Sequence, residues 1–443
     1  MKASPYLQII EKDGCALCWH ALRGNLYFLE PDYLDALRTG KSDNINIIHD
    51  LAEAGYLVDE GINERDFLTH KNMTWMELVP NGGQLRMLNL MISEVCNFGC
   101  QHCLHRCSIE VSPTHGKKLI MDWETAKAAI DVYTAIMRLW NRPIDVHFGS
   151  AEPLLNYGVV KRAITYFRQL DPRCKLAVNT NLSLLTREMA EFFRDHQVFI
   201  STSLDGPPEG NDAMRQFKDQ SGTYATIISR FNLLKDIGYP LDGFSITLND
   251  LNFDLVTPEF IAWAHTQGFT GIATDIDLIN MTNARRSIEE CVAKLLELRS
   301  ACLDLGIENF GSWTTAYDNL VNEPEDDMPT FCKAAKGQNL SINAEGLIFI
   351  CGHTTTPIGK LDDIDEVLTS DSPYVKLVAS RLPGNDPSCF GCEIEGVCAG
   401  QCQITREVAK ATGNARDLLL CQFYRLATRR LLERKLVLES ANP

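Results

Sequence analysis

No stretch of this 443-residue sequence approaches the roughly 18 consecutive apolar residues that a helix needs to cross a bilayer. The segment before Pro31 carries Glu11, Asp13 and Glu30 and lacks the apolar centre of an export signal. Positive charge is also scarce. Forty-two Lys and Arg against 58 Asp and Glu leave a net charge of −16, which opposes gripping a nucleic-acid backbone or an anionic membrane surface. These absences predict a cytoplasmic protein with no membrane and no nucleic acid among its partners. The chain is too long for one simple core, so two or three domains are expected.

What the sequence has in quantity is cysteine, 16 residues in all. A large acidic chain without an export signal uses grouped cysteines for metal more often than for disulfides. Ten are grouped: Cys96-x3-Cys100-x2-Cys103 near the first quarter, and Cys332, Cys351, Cys389-x2-Cys392-x5-Cys398-x3-Cys402 and Cys421 toward the end. Cys15, Cys18, Cys107, Cys174, Cys291 and Cys302 remain outside these groups, and the last three sit in apolar segments where a small buried thiol is ordinary. Cys15 and Cys18 are spaced to face opposite sides of a strand, which favours a structural role.

Three thiolates in one tight loop can hold an iron–sulfur cube while leaving its fourth iron open for chemistry. Zinc is the alternative, and His105 or Cys107 would then have to close the site. The Cys96–Cys103 stretch resembles the signature of the radical SAM superfamily, with His102 at the aromatic position before the third cysteine. That resemblance implies a [4Fe-4S] cluster that reduces S-adenosylmethionine (SAM) to methionine and a 5′-deoxyadenosyl radical. The seven C-terminal cysteines resemble a SPASM domain. By that likeness auxiliary cluster II takes Cys389, Cys392, Cys398 and Cys421, and auxiliary cluster I takes Cys332, Cys351 and Cys402. Three [4Fe-4S] clusters are therefore implied. Some relatives supply an eighth cysteine where this chain has Gln338, so cluster I either keeps an open iron or takes another side chain such as His353.

Residues 1–80 read as a small α+β unit with strands at Leu7–Glu11, Cys15–Leu22 and Asn25–Phe28, two helices at Pro31–Leu37 and Ile45–Ala54, and a wing at Tyr56-Leu57-Val58. The order resembles a winged-helix-like, PqqD-type peptide-recognition domain, which implies binding of a precursor's leader as an added strand. Residues 81–310 then alternate strand and helix six times. The strands are read at Arg86–Ile92, Ile144–Gly149, Lys175–Thr180, Val198–Leu204, Phe244–Leu248 and Gly271–Leu278. This alternation predicts an α/β fold, a partial (β/α)6 TIM-type barrel with its chemistry at the strand ends. Residues 311–443 form the cysteine-rich C-terminal domain.

Several strand ends carry candidate site residues. Gly149-Ser150-Ala151-Glu152-Pro153 resembles the family's Gly-Gly-Glu-Pro element with one residue more, which implies that Gly149, Ser150, Ala151 and Glu152 hold the SAM amino group. Ser203-Leu204-Asp205-Gly206-Pro207, followed by Asn211-Asp212-Ala213-Met214-Arg215, resembles family stretches in which Ser203 meets the ribose and Arg215 the methionine carboxylate. Asn181 and Leu248 end two further strands and are read as lining the nucleoside. Asp275 and Asp277 share one strand face, where either one of them serves as a base or orients the substrate, or both are caps or salt-bridge partners.

Together these readings describe a radical SAM oxidoreductase that abstracts a hydrogen from a ribosomally made precursor peptide carrying a leader, fed by an external flavodoxin- or ferredoxin-type reductant. Two rivals stand beside it: an anaerobic sulfatase maturase, and a metal scaffold without catalysis.

Overall fold

Alternating apolar residues and turn signals build the first sheet. In the computed structural model, which describes residues 1–12, 14–104, 118–277, 286–322, 328–412 and 416–441, β1 is Lys2–Ala3, β2 is Leu7–Lys12, β3 is Cys15–His20 and β4 is Leu26–Leu29. Strands β2, β3 and β4 form an antiparallel sheet in that order, with Lys12 opposite Cys15 and Trp19 opposite Leu26. A Pro at its start and a left-handed Gly40 at its end bound the helix Pro31–Thr39, and Asn44 caps the helix Ile45–Glu53. The expected wing is a short strand, β5 (Leu57–Val58), which pairs with β1. The helix Asp66–Met76 was not anticipated from the sequence, because its Thr, His and Asn residues are weak helix formers and no side chain caps it.

Strand β3 is buried on both faces. Ala16 and Cys18 join a small core with Leu34, Leu51 and Tyr56, whereas Leu17 and Trp19 enter the main core of the chain. Cys15 packs against that main core and Cys18 lies in the small one, so the two thiols do face opposite ways.

The six expected strand–helix units follow. The strands are β6 (Met87–Ser93), β7 (Asp145–Ser150), β8 (Lys175–Asn179), β9 (Val198–Ser201), β10 (Gly243–Leu248) and β11 (Gly271–Ile276); Leu278, the expected end of the last strand, lies outside the described residues. Strands β6 to β9 pair in parallel, as do β10 and β11. A parallel bridge between Ser203 and Ser245 joins the two sets. The arc extends further than the sequence indicated. A three-residue strand, β12 (Glu308–Phe310), adds to β11, and β13 (Asn339–Ile342) pairs in parallel with β6, carrying β14 (Leu347–Phe349) and β15 (Gly359–Lys360) antiparallel beyond it. These strands are too short for a readable alternation. The result is a mixed α/β fold on parallel strands, consistent with a partial barrel, whose sheet runs unbroken into the cysteine-rich part. The C-terminal helix Arg416–Ala441 packs on the helix Ile288–Asp304, with Arg434 Nη1 donating to the Leu296 carbonyl at 2.8 Å.

Candidate functional site

The loop after β6 presents Cys96, Cys100 and Cys103 and is stitched to its surroundings. Gly99 N–H donates to the Gln216 carbonyl at 2.8 Å, Phe98 meets Phe217 edge to face at 5.0 Å, and Asn97 links Ser183 (2.8 Å) to Asn181 (2.9 Å). Asn181 Nδ2 also reaches Cys96 Sγ at 3.6 Å. Burial pushes the Cys100 thiol up to about 12 and raises that of Cys96.

Beside this loop stands a charged cluster of which sequence reading singled out only two members. Arg215 Nε pairs with Asp205 Oδ2 at 2.6 Å, and His102 Nε2 lies 3.3 Å from the same oxygen and 3.2 Å from Arg215 Nη2. Asp205 Oδ1 also accepts the Thr247 N–H at 2.8 Å. Burial drives His102 down to about 4, so the ring is neutral at pH 7. Asp205 stood within the quoted Ser203–Pro207 stretch, but nothing local marked it as the anchor of Arg215. Asn211 accepts the Asp205 N–H (3.2 Å) and donates to Thr223 Oγ1 (3.1 Å), which fixes the turn leading to Arg215.

Both features open onto one cavity of about 390 Å³. Of the residues expected to bind SAM, His102, Ser150, Ala151, Asn181, Ser203 and Arg215 line it. Ser150 sits at φ 108°, a backbone region that favours glycine, which is the residue the resembling motif carries there. Three expected residues are placed otherwise. Gly149 does not line the cavity, and Glu152 is fully buried outside the lining, its Oε1 accepting from Thr180 Oγ1 (2.7 Å) and Leu154 N–H (2.9 Å) and its Oε2 from Asn181 N–H (2.8 Å). Leu248 belongs to the hydrophobic core. Strand side chains alternate, so its neighbour Thr247 faces the cavity instead.

Asp275 and Asp277 both line the cavity. Ser312 donates to Asp275 Oδ1 through its N–H (2.8 Å) and its hydroxyl (2.6 Å), yet burial still raises the carboxyl to about 6. The C-terminal region completes the enclosure with Phe331, His353, Cys402 and Tyr424 among others.

The C-terminal cysteines fall into two groups. Burial raises the Cys402 thiol to about 12, and Cys332 and Cys351 stand near enough to add to the rise electrostatically. Cys389, Cys392, Cys398 and Cys421 surround a separate small enclosure. The three residues between Cys398 and Cys402 are all left-handed: Ala399 (φ 51°), Gly400 (φ 82°) and Gln401 (φ 60°). That turn sends neighbouring cysteines to different groups. The buried Arg381 braces it by donating to the carbonyls of Gly400 and Gln401. Gln338 is buried at the start of β13, where its carbonyl accepts the N–H groups of Arg86 and Met87, and it does not line the cavity. His353 does, and its buried Nδ1 has no hydrogen-bond partner among the described residues. His105 and Cys107 lie outside the described residues.

Comparison with known proteins agrees with this geometry. Residues 90–255 match the radical SAM superfamily. The radical SAM cyclopropyl synthase TigE of Paramaledivibacter caminithermalis is 26% identical over 98% of this chain and 96% of its own length. The serine-type anaerobic sulfatase-maturating enzyme of Bacteroides thetaiotaomicron is 23% identical over 75% of this chain and 86% of its own. Among solved structures, anSMEcpe with bound AdoMet superposes with a TM-score of 0.56 at 14% identity, covering 76% of this chain and 99% of that one. Streptococcus suis SuiB bound to its precursor peptide SuiA gives 0.52 at 14% identity, covering 91% and 95%. These two structures share the fold of this chain. Residues 90–255, holding the three-cysteine loop and the Arg215 cluster, form a radical SAM domain, and such a domain implies a [4Fe-4S] cluster and SAM.

Proposed function

We propose that this chain is a radical SAM/SPASM peptide maturase that installs a carbon-centred modification on a ribosomally made precursor. The observation that carries the reading is the shared cavity: the three-cysteine loop, Ser203 and Arg215 line it together with Asp275, Asp277, Cys402 and His353. A hydrogen donor held among these residues would sit close to both SAM and an electron acceptor. Cys96, Cys100 and Cys103 would hold the SAM-binding cluster, Cys332, Cys351 and Cys402 auxiliary cluster I, and Cys389, Cys392, Cys398 and Cys421 auxiliary cluster II. In an iron–sulfur cube each of these thiolates would bind a different iron.

When bound, the clusters and SAM supply one-electron reduction and a hydrogen-abstracting carbon radical. The chain's own residues do the positioning. Arg215, fixed by Asp205, meets the methionine carboxylate, Ser203 meets the ribose, and Glu152 acts from behind the wall by holding Thr180 and Asn181 in place. Asp275 takes a proton from the oxidised substrate or orients it. His353 is the candidate fourth donor at auxiliary cluster I.

Two features support a peptide substrate over a sulfatase. The matches to TigE and SuiB extend over nearly the whole chain, whereas those to sulfatase maturases leave about a quarter uncovered. In the N-terminal unit, β4 is an edge strand with exposed Tyr27 and Phe28 beside a cavity of about 670 Å³ that reaches the helix Ile45–Glu53. An edge of this kind accepts an added strand such as a leader. The cyclopropyl synthase relative points to carbon–carbon ring closure as the product class.

The test is anaerobic incubation of the reconstituted protein with SAM and dithionite. Formation of 5′-deoxyadenosine, together with about 12 iron and about 12 sulfide per chain, is expected from three cubes. Zinc at full occupancy without sulfide would end the reading. Replacing Cys96, Cys100 and Cys103 with alanine should remove about four iron and abolish SAM cleavage, with the other clusters retained.

A further inference from the structure

The loop that carries three cysteines of the four-cysteine group is held by the N-terminal unit. Trp19 Nε1 donates to the Glu393 carbonyl at 2.8 Å, and Gly396 N–H donates to the Ala21 carbonyl at 2.7 Å. Arg65 forks onto Glu395, with Nη2 to Oε1 at 2.7 Å and Nη1 to Oε2 at 3.3 Å. The Glu395 side chain is fully buried, and its Oε2 also accepts the Gly391 N–H at 3.1 Å, so one carboxylate ties together both sides of Cys392. The Arg65 guanidinium lies 3.8 Å over the Phe390 ring. The contact leaves no slack: a Cβ on Gly396 would stand 2.1 Å from the Leu22 carbonyl oxygen. Trp19 and Ala21 belong to β3 and its continuation, the strand whose other neighbour is the open-edged β4.

We propose that the N-terminal unit braces the four-cysteine group, with Arg65 and Trp19 as positioning residues that fix the spacing of Cys389, Cys392 and Cys398. The proposal rests on reading those cysteines, with Cys421, as iron–sulfur ligands. A rigid carboxylate between two ligands sets their separation, and hydrogen bonds around a cluster tune its potential. An unpaired carboxylate at Glu395 would have to reach water, which it can do only by moving the loop. The strand that holds the four-cysteine loop and the open edge proposed for the leader are thereby neighbours in one sheet.

The test compares full-length wild type with Arg65→Met, Arg65→Lys, Trp19→Phe and Cys398→Ala. In the metal-free protein, hydrogen exchange of the amides in 389–398 should quicken at least tenfold in Arg65→Met, with β6 unchanged, and Arg65→Lys should recover part of the protection. After reconstitution, the electron paramagnetic resonance signal of one auxiliary cluster should change in Arg65→Met and Trp19→Phe, while 5′-deoxyadenosine formation stays within twofold of wild type. If Cys398→Ala loses iron but both brace variants keep wild-type exchange and spectra, the brace is wrong and the ligand reading stands. If Cys398→Ala keeps all its iron, the ligand reading itself fails. Should Arg65→Met not fold, Trp19→Phe, which removes one donor and keeps the ring, carries the same two outcomes.

Discussion

At the scale of single residues, Asp275 and Gly400 make the sharpest claims. A carboxyl held near 6 by burial is mostly ionised at pH 7 and can take a proton. Peptide modification should therefore rise with pH through about 6 and level off above it, and Asp275→Asn should abolish that limb while leaving SAM cleavage intact. The same shift has the opposite sign for stability. The folded chain binds this proton more tightly than the unfolded one, whose aspartate titrates at the ordinary 3.8, so the contribution of Asp275 is present at low pH and is lost as pH rises toward 6. Gly400 lies at φ 82°, and an added Cβ would stand 2.8 Å from Arg406 Nη1. Gly400→Ala should cost about 1–2 kcal/mol from the left-handed backbone alone, read as a lower Tm. Because this turn parts Cys398 from Cys402, the variant should also lose iron from both C-terminal groups.

Among elements, the three-cysteine loop and the C-terminal run were the legible ones, since cysteine spacing within a loop is a local property that survives in one dimension. The strand ends were legible in part. Ser150, Asn181, Ser203 and Arg215 reach the cavity as expected, but Leu248 does not, because the face on which a strand residue emerges depends on packing from both sides. The partner of Arg215 was invisible for the same reason: Asp205 is ten residues away along the chain and becomes its counter-ion only through the turn that Asn211 pins. The fourth position of the auxiliary cluster I proposed for Cys332, Cys351 and Cys402 is a test of element placement. Gln338 is tied into the start of β13 and His353 faces the cavity. His353→Ala should therefore alter the spectrum of that cluster, and Gln338→Cys should change product formation little. Loss of product in Gln338→Cys, with its thiolate bound and iron and SAM cleavage retained, would instead assign an open iron to the substrate.

For the whole molecule, the N-terminal unit is the part whose role depends most on its setting. Sequence presents residues 1–80 as a separable module, yet Leu17, Trp19 and Trp75 lie in the main core. Deleting residues 1–75 should suppress peptide modification and spare most SAM cleavage, but it should also lower Tm, because it strips apolar surface from that core at about 25 cal/mol per Å². Point changes on the β4 edge are the cleaner measurement of leader binding: Tyr27→Asp with Phe28→Asp should weaken modification at unchanged Tm. By itself the sequence determined the alternation of strand and helix and the spacing of the three-cysteine loop, since periodicity, turn chemistry and short cysteine intervals are all written in neighbouring residues. The tertiary structure alone decided that β13 extends the parallel sheet, that Arg215 is held by Asp205, that one cavity joins the three-cysteine loop to Cys402, and that β3 grips the loop around Cys392. Each of these joins residues far apart in the chain, and such contacts are selected by burial and charge pairing in the folded core, where no local pattern records them.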